Sequence, residues 1–282
     1  MNNSTQLKAL IKNLAKEKGI SAQIILQYYM MERLLDRISL SKYHHNFIVK
    51  GGFLISSMVG LNTRATMDLD ATVKNLPLKH EPLSQIFTEL CAVEAHDNVT
   101  FNLKRVINIR DNDLQGGARI MLDANYPPIV VPLKVDLTSG DRITPNEVSY
   151  EFRFLFERRS IKMLAYNLET IIAEKLETII SRGNQNTRPR DFYDIYILNK
   201  LYGHQINRNV LRNALLNTAE KRESTHVLIR YSDIIQSIIH SPMMHKHWAS
   251  YQKDFYYAKN IDFQILCTSI DKILSTLKLK IH

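Results

Sequence analysis

The spacing of apolar residues changes period twice along this chain, and that double change restricts the fold more than any other feature. Over residues 5–18, Leu7, Leu10, Ile11, Leu14 and Ala15 follow the i, i+3, i+4, i+7 spacing of an amphipathic helix. Ser21 is placed to cap a second helix carrying Ile24, Ile25, Tyr28, Met31, Leu34 and Leu35 to about residue 39. Then the period shortens. Phe47-Ile48-Val49 is a short apolar run closed by Gly51-Gly52, and residues 53–59 read as a short helix ended by Gly60. Residues 67–74 alternate strictly, with Met67, Leu69, Ala71 and Val73 on one face and Asp68, Asp70, Thr72 and Lys74 on the other. Strand-like runs follow at about 99–110, 117–123, 129–137 and 148–156, punctuated by Pro127-Pro128 and Ser139-Gly140-Asp141. From Asn167 the period returns to 3.6. Asn167 is placed to cap a helix through Leu168, Ile171, Ile172, Leu176, Ile179 and Ile180, ended near Gly183. A polar loop leads to a helix at about 190–201, and further helices fill 207–221, 225–240, 244–258 and 262–279. Helices, then a β-rich core, then an all-helical half predict an α+β catalytic domain followed by a helical one. The boundary is expected near residues 160–167, dividing the chain into 1–165 and 166–282.

With 282 residues and 45% apolar content, the chain can bury a sizeable core. No apolar run is long enough to span a membrane. The first residues lack the apolar centre of a secretion signal, so a cytoplasmic protein without membrane attachment is expected. Cys91 and Cys267 have neither metal-type spacing nor enough company for a disulfide framework, and read as buried apolar residues. Lys and Arg total 37 against 28 acids, a surplus of nine positive charges. That surplus suits a polyanionic partner, nucleic acid first, or simply a soluble basic surface.

The acids of residues 67–74 carry the chemistry. Asp68 and Asp70 project from one face of the expected strand. Paired like charges are costly without a partner, and a divalent cation is the natural one. Hard carboxylate oxygens suit magnesium, which keeps water and substrate phosphates as its other ligands. The bland alternative is the wet face of an edge strand. Gly51-Gly52, fifteen residues before Asp68, could let phosphate oxygens approach backbone N–H groups at a helix N-terminus, or could be a plain strand-to-helix turn. Arg64 and Thr66 add a cation and a hydroxyl nearby. Asp136, in the alternating run 133–137, could supply a third carboxylate from a neighbouring strand or could be a surface acid. In the helical half, Lys175 shares the apolar face of Ile171 and Ile179, so it either snorkels outward or points into a site where a triphosphate would pair it. Asp191 and Asp194 share a face with Ile195 and Leu198, and Asp191 could equally serve the helix start.

The stretch KGGFLISSMVGLNTRATMDLDATV resembles the signature of polymerase-β-type nucleotidyltransferases, a glycine-paired helix followed by Asp-x-Asp. More narrowly it is similar to the AbiEii/AbiGii-type toxins of that superfamily. The fifteen-residue gap between Gly52 and Asp68 is longer than the general motif has, and the AbiEii-type pattern accommodates it. AEKLETIISRG and the later R-x-R-D-x-x-D-I-Y resemble the same family's following motifs, with Arg190 where the family often has lysine. The resemblance covers residues 46–200 and implies a polymerase-β-type core with a mixed sheet, N-terminal helices and an all-helical C-terminal domain that completes the active site. It implies a nucleoside triphosphate substrate and two magnesium ions, with manganese as a substitute, held by Asp68, Asp70 and Asp136. Gly51, Gly52, Arg64, Thr66 and Lys175 would bind nucleotide, and Asp191 would act in catalysis. It further implies the toxic half of a bacterial toxin–antitoxin or phage-defence system. The expected acceptor is RNA, the 3′ end of tRNA first, with a cognate antitoxin that need not touch the toxin. A phosphate on Thr66 would compete for the metal site. Nucleotidylation of a small molecule or protein, or a catalytically silent nucleic-acid-binding role, remain as alternatives. Residues 203–282 carry Lys246, His247, Trp248, Tyr251, Lys253, Tyr256, Tyr257 and Lys259, either an RNA-facing surface with stacking groups or ordinary core aromatics.

Overall fold

A computed structural model describes residues 3–109 and 116–279. Two helices open the chain, α1 (Ser4–Lys18) and α2 (Ala22–Leu40). Their first turns are capped by Asn3 and Ser21, whose side chains accept from Gln6 N and Ile24 N. Then come β1 (Phe47–Lys50), α3 (Gly51–Val59), β2 (Leu69–Val73), α4 (His80–Cys91) and the long strands β3 (Thr100–Ile109), β4 (Gly117–Tyr126) and β5 (Ile129–Ser139). Strands β6 (Val148–Arg153) and β7 (Ser160–Ala165) close this part. The seven strands form one mixed sheet in the order β3-β4-β5-β2-β1-β7-β6. Pairing is parallel at β2/β5 and β1/β7 and antiparallel elsewhere.

The helical part comprises α5 (Leu168–Arg182), α6 (Pro189–Tyr202), α7 (Arg208–Lys221), α8 (Thr225–Leu228), α9 (Tyr231–Ile239), α10 (Pro242–Asp254) and α11 (Phe263–Thr276). The chain divides into two compact units, Met1–Asp141 with Val148–Ala165, and Arg142–Glu147 with Tyr166–His282. Asn167 shows why the short segment groups with the helices. Its side chain caps α5 at Thr170 N and donates to the carbonyls of Thr144 and Asn146, each at 2.8 Å.

Several elements differ from their sequence outlines. The acidic strand is shorter than expected, so Asp68 lies one residue before β2 and only Asp70 is on it. The helix expected at 225–240 is broken into α8 and α9. Helix α4 was passed over, although Leu83, Ile86, Phe87 and Leu90 have helical spacing and are buried. The run expected to reach residue 110 ends at Ile109, and residue 110 lies outside the described residues. No helix among the described residues is long and apolar enough to cross a membrane.

Helix α2 buries Glu32, Arg33, Asp36 and Arg37 along with its apolar face. Buried charge survives only when paired. Arg37 grips Asp97 through both oxygens at 2.6 Å, Arg159 pairs with Asp36, and Arg33 pairs with Glu157. The guanidinium of Arg33 also lies 4.0 Å from the Phe154 ring centre. Glu32 accepts from Leu155 N at 3.0 Å, and burial pushes its carboxyl up to about 8 against the pull of Arg33.

Candidate active site

Residues directly opposite one another on neighbouring strands project from the same sheet face. Asp70 stands opposite Asp136 between β2 and β5, and Asp136 opposite Arg119 between β5 and β4. On the other side Asp70 stands opposite Lys50 between β2 and β1. One rung across four strands therefore reads Arg119, Asp136, Asp70, Lys50: two carboxylates flanked by two cations, with strands roughly 4.8 Å apart. Arg119 donates to both oxygens of Asp136, from Nε at 2.7 Å and from Nη2 at 2.8 Å. These contacts, with the charges of Asp68 and Asp70 behind them, hold the Arg119 guanidinium above its ordinary pKa. Lys50 lies 2.5 Å from Asp141 and 2.7 Å from the Thr138 hydroxyl, and Thr72 also donates to Asp141.

The glycine pair begins α3, two residues earlier than expected, and its lack of side chains has a concrete use. Gly51 has φ +67, and a Cβ built there would lie 2.1 Å from an Asp70 carboxylate oxygen. At Gly52 a Cβ would meet the Thr66 hydroxyl at 2.7 Å and an Arg64 nitrogen at 3.3 Å. So the pair admits the chain's own Asp70, Thr66 and Arg64 against the start of α3, where the helix dipole favours negative charge. Lys50, at the N-cap, makes no side-chain cap there. Arg64 is buried and donates to the Ala65 carbonyl. Gln27, buried on α2, ties this loop to the sheet by donating to the carbonyls of Met67 at 3.3 Å and Pro132 at 2.9 Å. The structure thus brings together Gly51, Gly52, Arg64, Thr66 and Asp70, with Asp136 beside Asp70.

Among the described residues no group of three His, Cys, Asp or Glu side chains is gathered for a metal. Asp136 is held through both oxygens by Arg119. The donor set still fits a divalent cation at Asp68 and Asp70. Both offer hard oxygens, Gly51 leaves room for the Asp70 carboxylate where a side chain would collide with it, and the charges of both acids act on a nearby guanidinium.

In the helical unit Lys175 does not snorkel. Its ammonium is 2.8 Å from Asp191 and 2.7 Å from Asp194, and only 13% of its side chain is exposed. Two carboxylates, rather than a phosphate, pair it here. Burial works to lower its pKa, and the two aspartates outweigh burial and hold it above the ordinary value. The Asp194 side chain is fully buried, so Asp194 joins Lys175 and Asp191 in one cluster. Asp191 occupies the third position of α6, after Pro189.

Sequence reasoning missed Arg119 and Gln27, which carry no local signal. Lys50 and Asp194 stood in the quoted motifs but were given no role there. Of the aromatics suggested for an RNA surface, Trp248 and Tyr251 are core residues. The indole donates to the Ile261 carbonyl at 2.8 Å, and the Tyr251 hydroxyl meets that of Tyr257 at 2.9 Å. Tyr256, Lys246, Lys253 and Lys259 are exposed. Cys267 is buried and Cys91 partly so, and burial pushes their thiols up to about 12 and about 11.

Comparison with known proteins adds the family. No curated protein matches the chain by sequence. A candidate nucleotidyltransferase from H. pylori has a crystal structure that matches with a TM-score of 0.56 at 17% identity, covering 93% of this chain and 100% of that one. JHP933 from Helicobacter pylori matches with a TM-score of 0.50 at 16% identity, covering 91% of this chain and 92% of its own. At such identities the likeness speaks for the fold alone. The sequence profile described as "Nucleotidyl transferase AbiEii toxin, Type IV TA system" matches residues 33–275, most of the chain. With that match and the mixed-sheet core in place, the chain belongs to the AbiEii nucleotidyl transferase toxin family of type IV toxin–antitoxin systems.

Proposed function

We propose that this toxin transfers a nucleoside monophosphate from a nucleoside triphosphate to a hydroxyl of an RNA, with the tRNA 3′ end as the first candidate. One observation carries the reading: Asp70 and Asp136 share a rung at the N-terminus of α3, where Gly51 lets the Asp70 carboxylate sit against the helix. Asp68 and Asp70 would hold magnesium, with Asp136 as a further ligand. Magnesium supplies charge neutralisation at the phosphates and a more acidic acceptor hydroxyl. The protein's own groups do the positioning. The acceptor oxygen bonds to the α-phosphorus, the bond to the β-phosphate bridge breaks, and pyrophosphate leaves with its electron pair. Backbone N–H groups at Gly51 and Gly52, together with Arg64 and Thr66, favour the anionic triphosphate. Lys175 and Asp191 take part in the same reaction, the lysine as a charge partner for phosphate and the aspartate as a base or positioner of the acceptor.

The surplus of nine positive charges supports a polyanionic acceptor. A type IV toxin has an antitoxin that counters its effect, and we take it to act without necessarily binding the toxin. The test is incubation of the purified protein and magnesium with each triphosphate labelled at the α-phosphate. Total RNA and total protein are offered in parallel, and modified RNA 3′ ends are sequenced. Label in RNA is the expected result. Label in protein or a small molecule alone would overturn the RNA acceptor while keeping the chemistry. Absence of both label transfer and magnesium-dependent triphosphate binding would overturn the enzyme reading.

A further inference from the structure

The rung of charges holds a residue that the reaction as proposed does not use. Arg119 is fixed at its backbone, because β4 is paired on both sides, by β3 and by β5. Its side chain is 40% exposed, so the guanidinium can swing into solvent without the strain of leaving a packed core. It holds Asp136 with the parallel two-bond geometry that a guanidinium makes with a carboxylate. It also feels the charges of Asp68 and Asp70. Without it, Asp70 and Asp136 would stand side by side on one sheet face, with the charge of Asp68 close enough to be felt. With it in place, a divalent cation arriving at Asp68 and Asp70 meets a positive charge already beside it.

We infer that Arg119 is a built-in counter-ion for the acid cluster. It holds Asp136 while no divalent cation is bound and releases Asp136 when one arrives. Arg119 is thus a positioning residue, acting through Asp136. The inference rests on the reading of Asp68 and Asp70 as cation ligands. A cross-strand pair with only a structural role would affect stability and leave cation affinity unchanged. A counter-ion competes, so removing it must tighten cation binding.

The test is manganese binding by the full chain without nucleotide, read from the electron paramagnetic resonance signal of free Mn2+. Arg119→Gln should bind Mn2+ about tenfold more tightly than the unaltered chain, equivalent to roughly 1.4 kcal/mol. Arg119→Lys keeps the charge without the fork and should fall between them. The gain should vanish when Asp68→Asn is added to Arg119→Gln. Circular dichroism reports whether each variant is folded. If Arg119→Gln does not fold, Arg119→Lys carries the test and must still bind more tightly than the unaltered chain. Equal or weaker binding by the folded variant, or no Mn2+ binding by any protein in the series, overturns the inference. Failure of the functional reading looks different: tightened Mn2+ binding with no nucleotide transfer would leave the counter-ion role standing and remove the proposed activity. Transfer with unchanged Mn2+ affinity would do the reverse.

Discussion

Replacing Gly51 by alanine should damage activity far more than stability, and the geometry says by how much. The new Cβ would lie 2.1 Å from the Asp70 oxygen, 2.8 Å from its carboxyl carbon and 2.9 Å from its Cβ. Normal contact demands that the carboxylate retreat by roughly 1 Å, a displacement that costs on the order of 10²-fold when it falls on a catalytic group. The backbone adds a second cost. Gly51 has φ +67, a conformation that costs an L-residue about 1–2 kcal/mol. In a chain of this size that lowers the melting temperature by only about 2–8 °C. Gly52→Ala is the internal comparison. It has no positive φ, and its nearest neighbour is the Thr66 hydroxyl at 2.7 Å, which can rotate. It should lose no more than about tenfold. The assay is kcat/KM for transfer of α-labelled nucleotide, with thermal unfolding alongside. A folded Gly51→Ala protein with unaltered kcat/KM, or one no worse than Gly52→Ala, would refute the claim that Asp70 must sit against the start of α3.

Two other perturbations follow from the charged clusters. Lys175→Ala should abolish transfer and also destabilise the helical unit, because it leaves Asp191 and the fully buried Asp194 without their ammonium. Breaking such a pair costs about 3–5 kcal/mol, visible as a large shift in the denaturant midpoint, whereas Lys175→Arg should keep most of the stability; equal midpoints for Lys175→Ala and the parent chain would contradict this. Glu32 predicts a pH effect. Its carboxyl is raised from 4.5 to about 8 in the folded chain, so between those values the folded state holds a proton that the unfolded state has lost. The contribution of Glu32 to stability should therefore be full below about pH 4.5, fall as pH rises towards 8, and level off above it. Glu32→Gln should flatten that part of the melting-temperature profile, and an unchanged slope would show that Glu32 does not carry it.

The layout of the fold was largely written in the hydrophobic periods. Strict alternation located the acidic segment, and helical spacing located α2 and α5, down to their caps at Ser21 and Asn167. What periodicity could not show was register. The pairing of Asp70 with Asp136, and of Asp136 with Arg119, depends on how strands distant in sequence align. A one-residue slip would have sent those side chains to the other face. Hence Asp136 was legible as a candidate while Arg119, its partner, was not. The glycine pair was read as room for a phosphate. In the fold that room is filled first by Asp70, Thr66 and Arg64. The neighbours of Lys175 were hidden for the same reason: Asp191 and Asp194 lie on the next helix, and spacing along α5 alone does not reach them.

Nucleotidyl transfer that depends on the acid pair is tested by following the two ends of the triphosphate. Parallel reactions with total RNA would carry the label at the α-phosphate in one and at the γ-phosphate in the other, for the unaltered chain and for Asp68→Asn and Asp70→Asn. The α-label should enter RNA, the γ-label should leave in pyrophosphate, and either substitution should abolish both while the chain stays folded. Entry of the γ-label into the acceptor, or undiminished transfer by folded Asp70→Asn, would contradict it.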